Sequence, residues 1–460
     1  MAGPTWQRAE SEVGTVAADA SAGAPTRSEP TALRRVFGTW SLVMFGLAYL
    51  VPLTVFTTFG TVSKLTEGHV PLAYVVTSLA MLFTAASYAR LVRRVPVAGS
   101  AFSYAGAAFG RRVGFITGWT LLLDYVLLPA INYLILGIYL GARFPAVAPA
   151  VWSLAAIGLV TALNVVGVDF VRRASVGLVV FQLIFAAVFV VAAFAHPGAV
   201  LTAGAFVAEP AIWPGVFAGA AVLCLSFLGF DAVSTLSEEA RDPVRTVPRA
   251  IMLTTVIGGA IFIALAYAGA SLLPDWRMIR ASDSAGLELM QPLGPVMSAF
   301  FLAAYVSGCL ASALVAQASV ARVLFVMGRE RVLPTSLFGV LSPRFQTPVR
   351  ATLVVALLSV AALFVTLDTL ASLISFGALF AFSLVNLAVP RLDALAAPDR
   401  SPVRVVGMAV VPGLGFAATL WLWFNLSALA LTVGLAWLGA GVIYGLVGHD
   451  VADRAREALA

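Results

Sequence analysis

Residues 46–60 read Gly-Leu-Ala-Tyr-Leu-Val-Pro-Leu-Thr-Val-Phe-Thr-Thr-Phe-Gly, an apolar run with Pro52 near its centre. Proline lacks an N–H and its ring collides with the preceding turn, so a helix through this run opens around residues 48–52. A second run, Leu-Ser-Phe-Leu-Gly-Phe-Asp-Ala-Val-Ser-Thr-Leu-Ser-Glu-Glu at 225–239, carries Gly229 beside Asp231 and invites the same break. Backbone groups freed in this way cannot face lipid; they line a cavity or meet a ligand. Taken singly, either interruption also fits a proline kink or a glycine packing contact.

The solvent around these runs follows from the whole chain. Of 460 residues, 61% are hydrophobic and 11% charged, against roughly 25% charged in a soluble domain. The apolar residues form blocks of bilayer-spanning length. They fall near 40–63, 72–92, 114–142, 150–168, 175–195, 212–236, 250–273, 295–327, 350–367, 370–390, 405–424 and 428–447. The divides at 367–371 and 425–428 are short. This predicts an all-α integral membrane protein of about twelve helices. Residues 1–36, polar and without an apolar run, read as a disordered cytoplasmic tail, unlike a signal or transit peptide. Residues 37–390 read as a core of ten helices, 391–448 as helices eleven and twelve, and 449–460 as a second tail.

Arginine and lysine orient the spans, because they favour cytoplasmic loops. With the N-terminus inside, only Lys64, Arg143, Arg277 and Arg280 fall in outer segments, of 28 Lys and Arg in all. Both termini are therefore expected in the cytoplasm. Cys224 and Cys309 lie inside apolar blocks and read as small apolar residues rather than a disulfide.

The two interruptions sit in helices one and six, five spans apart. Five is odd, so the corresponding halves, about 40–195 and 212–390, have inverted topology. Interrupted spans at matching places of inverted repeats point to a secondary-transporter site.

Three stretches carry a family resemblance. One is Pro96-Val97-Ala98-Gly99-Ser100-Ala101-Phe102-Ser103-Tyr104 with Gly114-Phe115 and Gly118-Trp119. The second is Ser226 to Asp231, with Glu238-Glu239, Asp242-Pro243 and Pro248 to Ile251. The third is Ala318-Ser319-Val320-Ala321-Arg322 with Met327-Gly328-Arg329-Glu330 and Leu333-Pro334. Together they resemble the amino acid–polyamine–organocation (APC) permease superfamily. Gly46-Leu47-Ala48-Tyr49, Pro52, Thr54-Val55-Phe56, Gly68 to Pro71, and Leu122-Leu123-Asp124-Tyr125 with Pro129 and Asn132 resemble its bacterial putrescine importer branch. The resemblance implies a LeuT-like 5+5 inverted repeat and uptake driven by a proton gradient. It also implies substrate handling by Tyr125 and by Glu238 or Glu239.

The superfamily's amino-acid carriers usually hold a carboxylate on a glycine-rich segment at the first break. Here Val51-Pro52-Leu53-Thr54 removes a donor and adds bulk, which disfavours an α-carboxylate and suits an amine. Thr54 and the remaining N–H groups leave the carboxylate reading open. A cation wants anions and aromatic faces. Carboxylates at mid-membrane depth are costly and are functional candidates. Asp124, Asp231, Glu238 and Glu239 are therefore expected in gating or proton coupling, the first two also in substrate binding. Tyr49, Tyr125, Phe227 and Phe230 offer cation–π faces, and Pro52, Thr54, Thr57 and Ser226 line the breaks. Each has a plainer reading: Asp231 caps the second half of helix six, the glutamates pair with Arg241, Arg245 or other cytoplasmic-loop arginines as a gate or structural lock, and Asp124 bonds within the bundle. Putrescine importers usually carry Asp after the Pro, where this chain has Thr57. Gln182 stands where many relatives have a helix-five lysine; it cannot titrate, so a coupling proton falls to the carboxylates.

No Walker-type loop, zinc-spaced His/Cys set or nucleophile elbow is present, so no cofactor, metal or enzyme activity is expected. Partners are a small amine, protons and the lipid bilayer, without nucleic acid. The expected function is proton-coupled import of putrescine or a related polyamine across the plasma (inner) membrane. The alternatives are an amino-acid permease of the same superfamily and, more remotely, a non-transporting membrane sensor.

Overall fold

The structure, a computed structural model, describes residues 37–457 apart from 97–99, 167, 281, 330–332, 344, 346 and 397–401. The expected N-terminal tail lies outside the described residues, as do 97–99 and Glu330 of the family stretches.

Span one is two helices, α1 (Thr39–Leu50) and α2 (Val55–Leu65), which meet at 54°. Span two is α3 (Val70–Arg94), followed by a short α4 (Ser100–Phe109). Spans three to five are α5 (Arg111–Arg143), α6 (Pro149–Val166) and α7 (Val168–Ala195). Span six begins as α8 (Trp213–Phe227) and resumes, after Leu228–Asp231, as a tighter 3₁₀ helix over Ala232–Glu239. Span seven is α9 (Pro243–Leu272). A short α10 (Ala285–Met290) leads into span eight, α11 (Pro295–Arg329). After α12 (Thr335–Phe338) come α13 (Val349–Ala362), α14 (Leu367–Ala396), α15 (Pro402–Phe424) and α16 (Ala428–Glu457).

Among the described residues nine helices are long and apolar enough to cross a bilayer, and the bent α1–α2 pair makes a further span. The shorter apolar stretches Val349–Ala362 and Met408–Phe424 complete the expected twelve. Large apolar side chains such as Val191, Leu357 and Phe364 stand exposed, as they must where the surrounding solvent is hydrocarbon. Two boundaries differ from expectation. The turn between spans nine and ten falls at 363–366, because Thr366 accepts the Thr369 N–H and Asp368 occupies the first turn of α14, both favourable at a helix start. Helix α16 runs to Glu457, past the expected end at 447. Its last residues, rich in Ala, Arg and Glu, are good helix formers that extend an existing helix at little cost.

Span twelve is fastened to span three by a reciprocal pair of indoles. The rings of Trp119 and Trp437 stack at 4.7 Å, and each Nε1–H donates to the other's carbonyl at 2.9 Å. Tyr444 stacks on Trp119, and Gly441 gives its ring room. Trp437→Ala removes the stack and the hydrogen bond from its own Nε1–H, while the backbone carbonyl that accepts from Trp119 remains, for an expected loss of about 2–4 kcal/mol. Trp437→Phe, which keeps an aromatic face, should lose less than half as much. Thermal melting of the detergent-solubilised protein compares the two.

Both faces of the bundle are closed. On the face bearing the start of α1, the Phe37 N–H donates to the Glu239 carbonyl at 3.1 Å and Arg241 N–H to Phe37 at 3.0 Å. Arg322 pairs with Glu239 at 3.2 Å and Arg94 with Asp393 at 2.7 Å. On the opposite face the segment before and within α10 lies on α2. Lys64 donates to Ser282 at 2.7 Å, Gly60 abuts Ser282, and Gly286 abuts Phe56, Phe301 and Tyr139.

Candidate functional site

The first break is a turn at Val51–Thr54. Val51 has φ +50°, unusual for a β-branched residue. The Thr54 hydroxyl turns back toward the carbonyls of Leu50, at 2.8 Å, and Val51, at 2.6 Å. The Tyr49 carbonyl, also freed by the break, accepts from Ser312 at 3.0 Å, and Asn132 Nδ2 donates to that serine's oxygen at 3.1 Å. Spans three and eight thus satisfy what Pro52 leaves open, as apolar surroundings require.

The second break turns on Gly229, φ +129°. A Cβ there would lie 2.8 Å from Tyr49 Cβ and 3.0 Å from the Leu50 nitrogen, so the two breaks touch backbone to backbone. Asp231 is fully buried. Its Oδ1 accepts the Gly229 N–H at 3.1 Å, and its Oδ2 accepts the Tyr125 hydroxyl at 3.1 Å. The expected capping of the following helix does not occur: no side-chain cap bond reaches the 3₁₀ segment. The carboxylate turns back to the glycine because the break leaves that N–H free. The Tyr125 hydroxyl also lies 3.3 Å from Ser100 Oγ, tying in α4.

Asp124 is fully buried, and neither of its oxygens has a hydrogen-bond partner; the expected bond within the bundle is not made. The Tyr49 hydroxyl is likewise buried without a partner. Asp231 bonds to Tyr125, the residue after Asp124, and to Gly229, which packs on Tyr49, so the three residues belong to one region of the bundle. Among the described residues no lysine or arginine pairs with either aspartate.

Between the breaks lies a cavity of about 20 Å³, room for about one water molecule. Tyr49, Leu50, Val51, Thr54 and Thr57 of span one line it. Leu128, Ile131, Asn132 and Ile135 of span three, Leu225 of span six, and Tyr305, Cys309 and Ser312 of span eight complete the wall. A four-carbon diamine needs more space than this, so occupancy requires the breaks to separate. Toward α2, Thr57 is hydrogen-bonded to the Tyr305 hydroxyl, and the Tyr74 hydroxyl bridges Thr58 at 3.3 Å and Ser226 at 3.1 Å. Beyond these, Phe56 makes edge contacts with Phe189 and Phe301 at 5.1 and 5.0 Å, a dry aromatic plug.

Of the residues expected here, Tyr49, Thr54 and Thr57 line the cavity, while Asp124, Tyr125 and Asp231 form the adjoining acidic group. Pro52 is buried in the turn behind the wall, and Ser226 is buried against Tyr74. Phe227 and Phe230 do not line the cavity. Phe227 packs edge-on against Phe262 at 5.1 Å, and Phe230 lies between Tyr88 and Phe382 at 5.7 and 5.2 Å. The break at Leu228–Asp231 rotates both rings into neighbouring spans. Glu239 pairs with Arg322, one of the arginines expected in cytoplasmic loops, and Glu238 is exposed beside it. Both belong to the closed face, not to the cavity. Gln182 is buried where α7 meets Gly308 of α11. Asn132 follows Asp124 by eight residues and so shares its helix face, a readable spacing. Tyr305, Cys309 and Ser312 share one face of α11, but nothing in that alanine- and serine-rich helix singles them out.

The family model described as amino acid permease matches residues 37–393. The low-affinity putrescine importer PlaP of Escherichia coli K12 is 38% identical over 426 residues, which cover 90% of this chain and 93% of that protein. The branched-chain amino acid permease BcaP of Bacillus subtilis is 27% identical, covering 89% of this chain and 92% of its own. The methylthioribose transporter of B. subtilis is 26% identical, covering 91% and 94%. The helical bundle with two broken spans and this breadth of similarity agree: the chain belongs to the amino acid permease family of membrane transporters.

Proposed function

We propose that this permease imports a small organic amine, putrescine or a close relative, by alternating access coupled to proton entry. The observation that carries the reading is a pair of fully buried aspartates, Asp231 at the second break and Asp124 beside the tyrosine that bonds to it, with which no lysine or arginine pairs among the described residues. An isolated buried carboxylate is strongly disfavoured unless it meets a cation or a proton. Both aspartates therefore suit an amine cargo and a coupled proton. An α-carboxylate would meet two like charges and a first break whose proline lacks a donor. The name of the E. coli relative points to the same cargo. The B. subtilis branched-chain permease supports a second reading, a neutral amino acid held at the cavity oxygens.

The face closed by Arg322–Glu239 is the basic one, and we assign it to the cytoplasm of a bacterial inner membrane. Glu239 then belongs to the inner gate. Purified protein in proteoliposomes should accumulate radiolabelled putrescine several-fold more when the lumen is alkaline than when a protonophore collapses the gradient. Absence of putrescine uptake together with accumulation of leucine or another neutral amino acid would overturn the amine reading.

A further inference from the structure

The central cavity is lined by no carboxylate: its polar groups are Tyr49, Thr54, Thr57, Asn132, Tyr305 and Ser312, with Cys309 beside them. The unpartnered acceptors lie elsewhere, on the same face of span three. Asp124 precedes the wall residue Leu128 by four positions, about 6 Å along the helix axis. Tyr49 belongs to both places. Tyr49 lines the cavity and its carbonyl is held by the wall residue Ser312, while its hydroxyl is buried without a partner and its side chain packs on Gly229, the glycine that Asp231 holds.

We propose that Asp124, Asp231 and the Tyr49 hydroxyl form a terminal-ammonium site separate from the cavity, so that the two ends of the cargo are recognised unequally. One primary ammonium enters the acidic group, and the other end rests among neutral oxygens of Thr57, Asn132, Tyr305 and Ser312. This rests on the amine reading above. A primary ammonium brings three N–H donors and no acceptor. That is the complement of two carboxylates and a phenol oxygen in which the Asp124 and Tyr49 atoms are unpartnered. A quaternary amine lacks the donors, and a carboxylate brings only acceptors. A four-carbon chain is roughly one helical turn long, which matches the step from Asp124 to the wall at Leu128. The neutral end follows from Thr57: no anion waits in the cavity for a second charge. A hydroxyl at that end of the cargo serves nearly as well as an ammonium.

Cys309 supplies a binding readout independent of transport. The only other cysteine, Cys224, is buried in α8 away from the cavity wall, so Cys224→Ser leaves Cys309 as the sole thiol. Alkylation of Cys309 by N-ethylmaleimide is measured in detergent against putrescine, 4-amino-1-butanol and tetramethylammonium. The amino alcohol should protect within about tenfold of the putrescine concentration, and tetramethylammonium should not protect. Asp124→Asn should raise the half-protecting concentration of both amines by about tenfold or more. Tyr49→Phe should raise it several-fold while leaving the ligand-free melting temperature unchanged or higher, because it deletes a hydroxyl that has no partner. That variant keeps the test decisive if Asp124→Asn misfolds.

Protection by putrescine but not by a hundredfold excess of amino alcohol would show that a charge holds the second end, and would overturn the unequal site while sparing the amine reading. Unchanged protection in Asp124→Asn and Tyr49→Phe, with loss of gradient-driven uptake, would overturn it by leaving Asp124 a proton carrier alone. Protection by neutral amino acids and by no amine would sink both readings together.

Discussion

Gly229→Val is expected to abolish transport and to destabilise the protein by about 2–6 kcal/mol. The figure combines a non-glycine residue at φ +129° with overpacking against a fixed neighbour. The neighbours are the root of the Tyr49 side chain and the Leu50 backbone, with contacts of 2.8 Å to Tyr49 Cβ and 3.0 Å to the Leu50 nitrogen. Neither atom can swing away as a flexible side-chain tip can. The added bulk acts at the point where the two broken spans touch, so it should block their closure as well as strain the fold. Fluorescence-detected size-exclusion after a heat step measures the first effect, and putrescine uptake into proteoliposomes the second. Gly229→Ala should fall between wild type and valine in both. Wild-type melting and uptake in the valine variant would mean that the breaks do not meet at this residue.

Asp231 separates charge from structure. Asp231→Ala leaves the Gly229 N–H without its acceptor and removes the Tyr125 contact, costing about 1–3 kcal/mol of stability. Asp231→Asn keeps the shape and one acceptor, so it should melt near wild type. Its uptake should nonetheless fall by about thirty-fold or more, since losing a buried charge partner for an ammonium costs about 2–5 kcal/mol. The asparagine result discriminates: normal uptake would confine Asp231 to holding the glycine turn. Glutamate, longer by one methylene, should rescue charge but not the 3.1 Å contact to Gly229, and should restore only part of the uptake.

Much of this site is legible in the chain. Pro52 forbids a continuous ladder whatever surrounds it, and Gly229 beside Asp231 marks the matching span. Asp124 and Asp231 are conspicuous because so few carboxylates occur inside apolar blocks. The aromatic faces were less readable. Phe227 and Phe230 flank a break whose dihedral angles, not their own chemistry, set where they point; both turn into neighbouring spans. Tyr305, Cys309 and Ser312 lie in a helix apolar on every side, where periodicity cannot tell the face toward the cavity from the face toward lipid.

The division between chain and fold follows from range. Sequence alone determined the lipid solvent, the spans, their breaks and the presence of two aspartates inside apolar spans, because length, hydropathy and the missing proline N–H are local properties. Only the tertiary structure decided what meets across those breaks. It seats Gly229 on Tyr49, turns Asp231 back to its own glycine, sends Tyr125 to Asp231, and leaves Asp124 and the Tyr49 hydroxyl without partners. These are contacts between residues far apart in the chain, set by helix packing and by the need to satisfy freed backbone groups away from water.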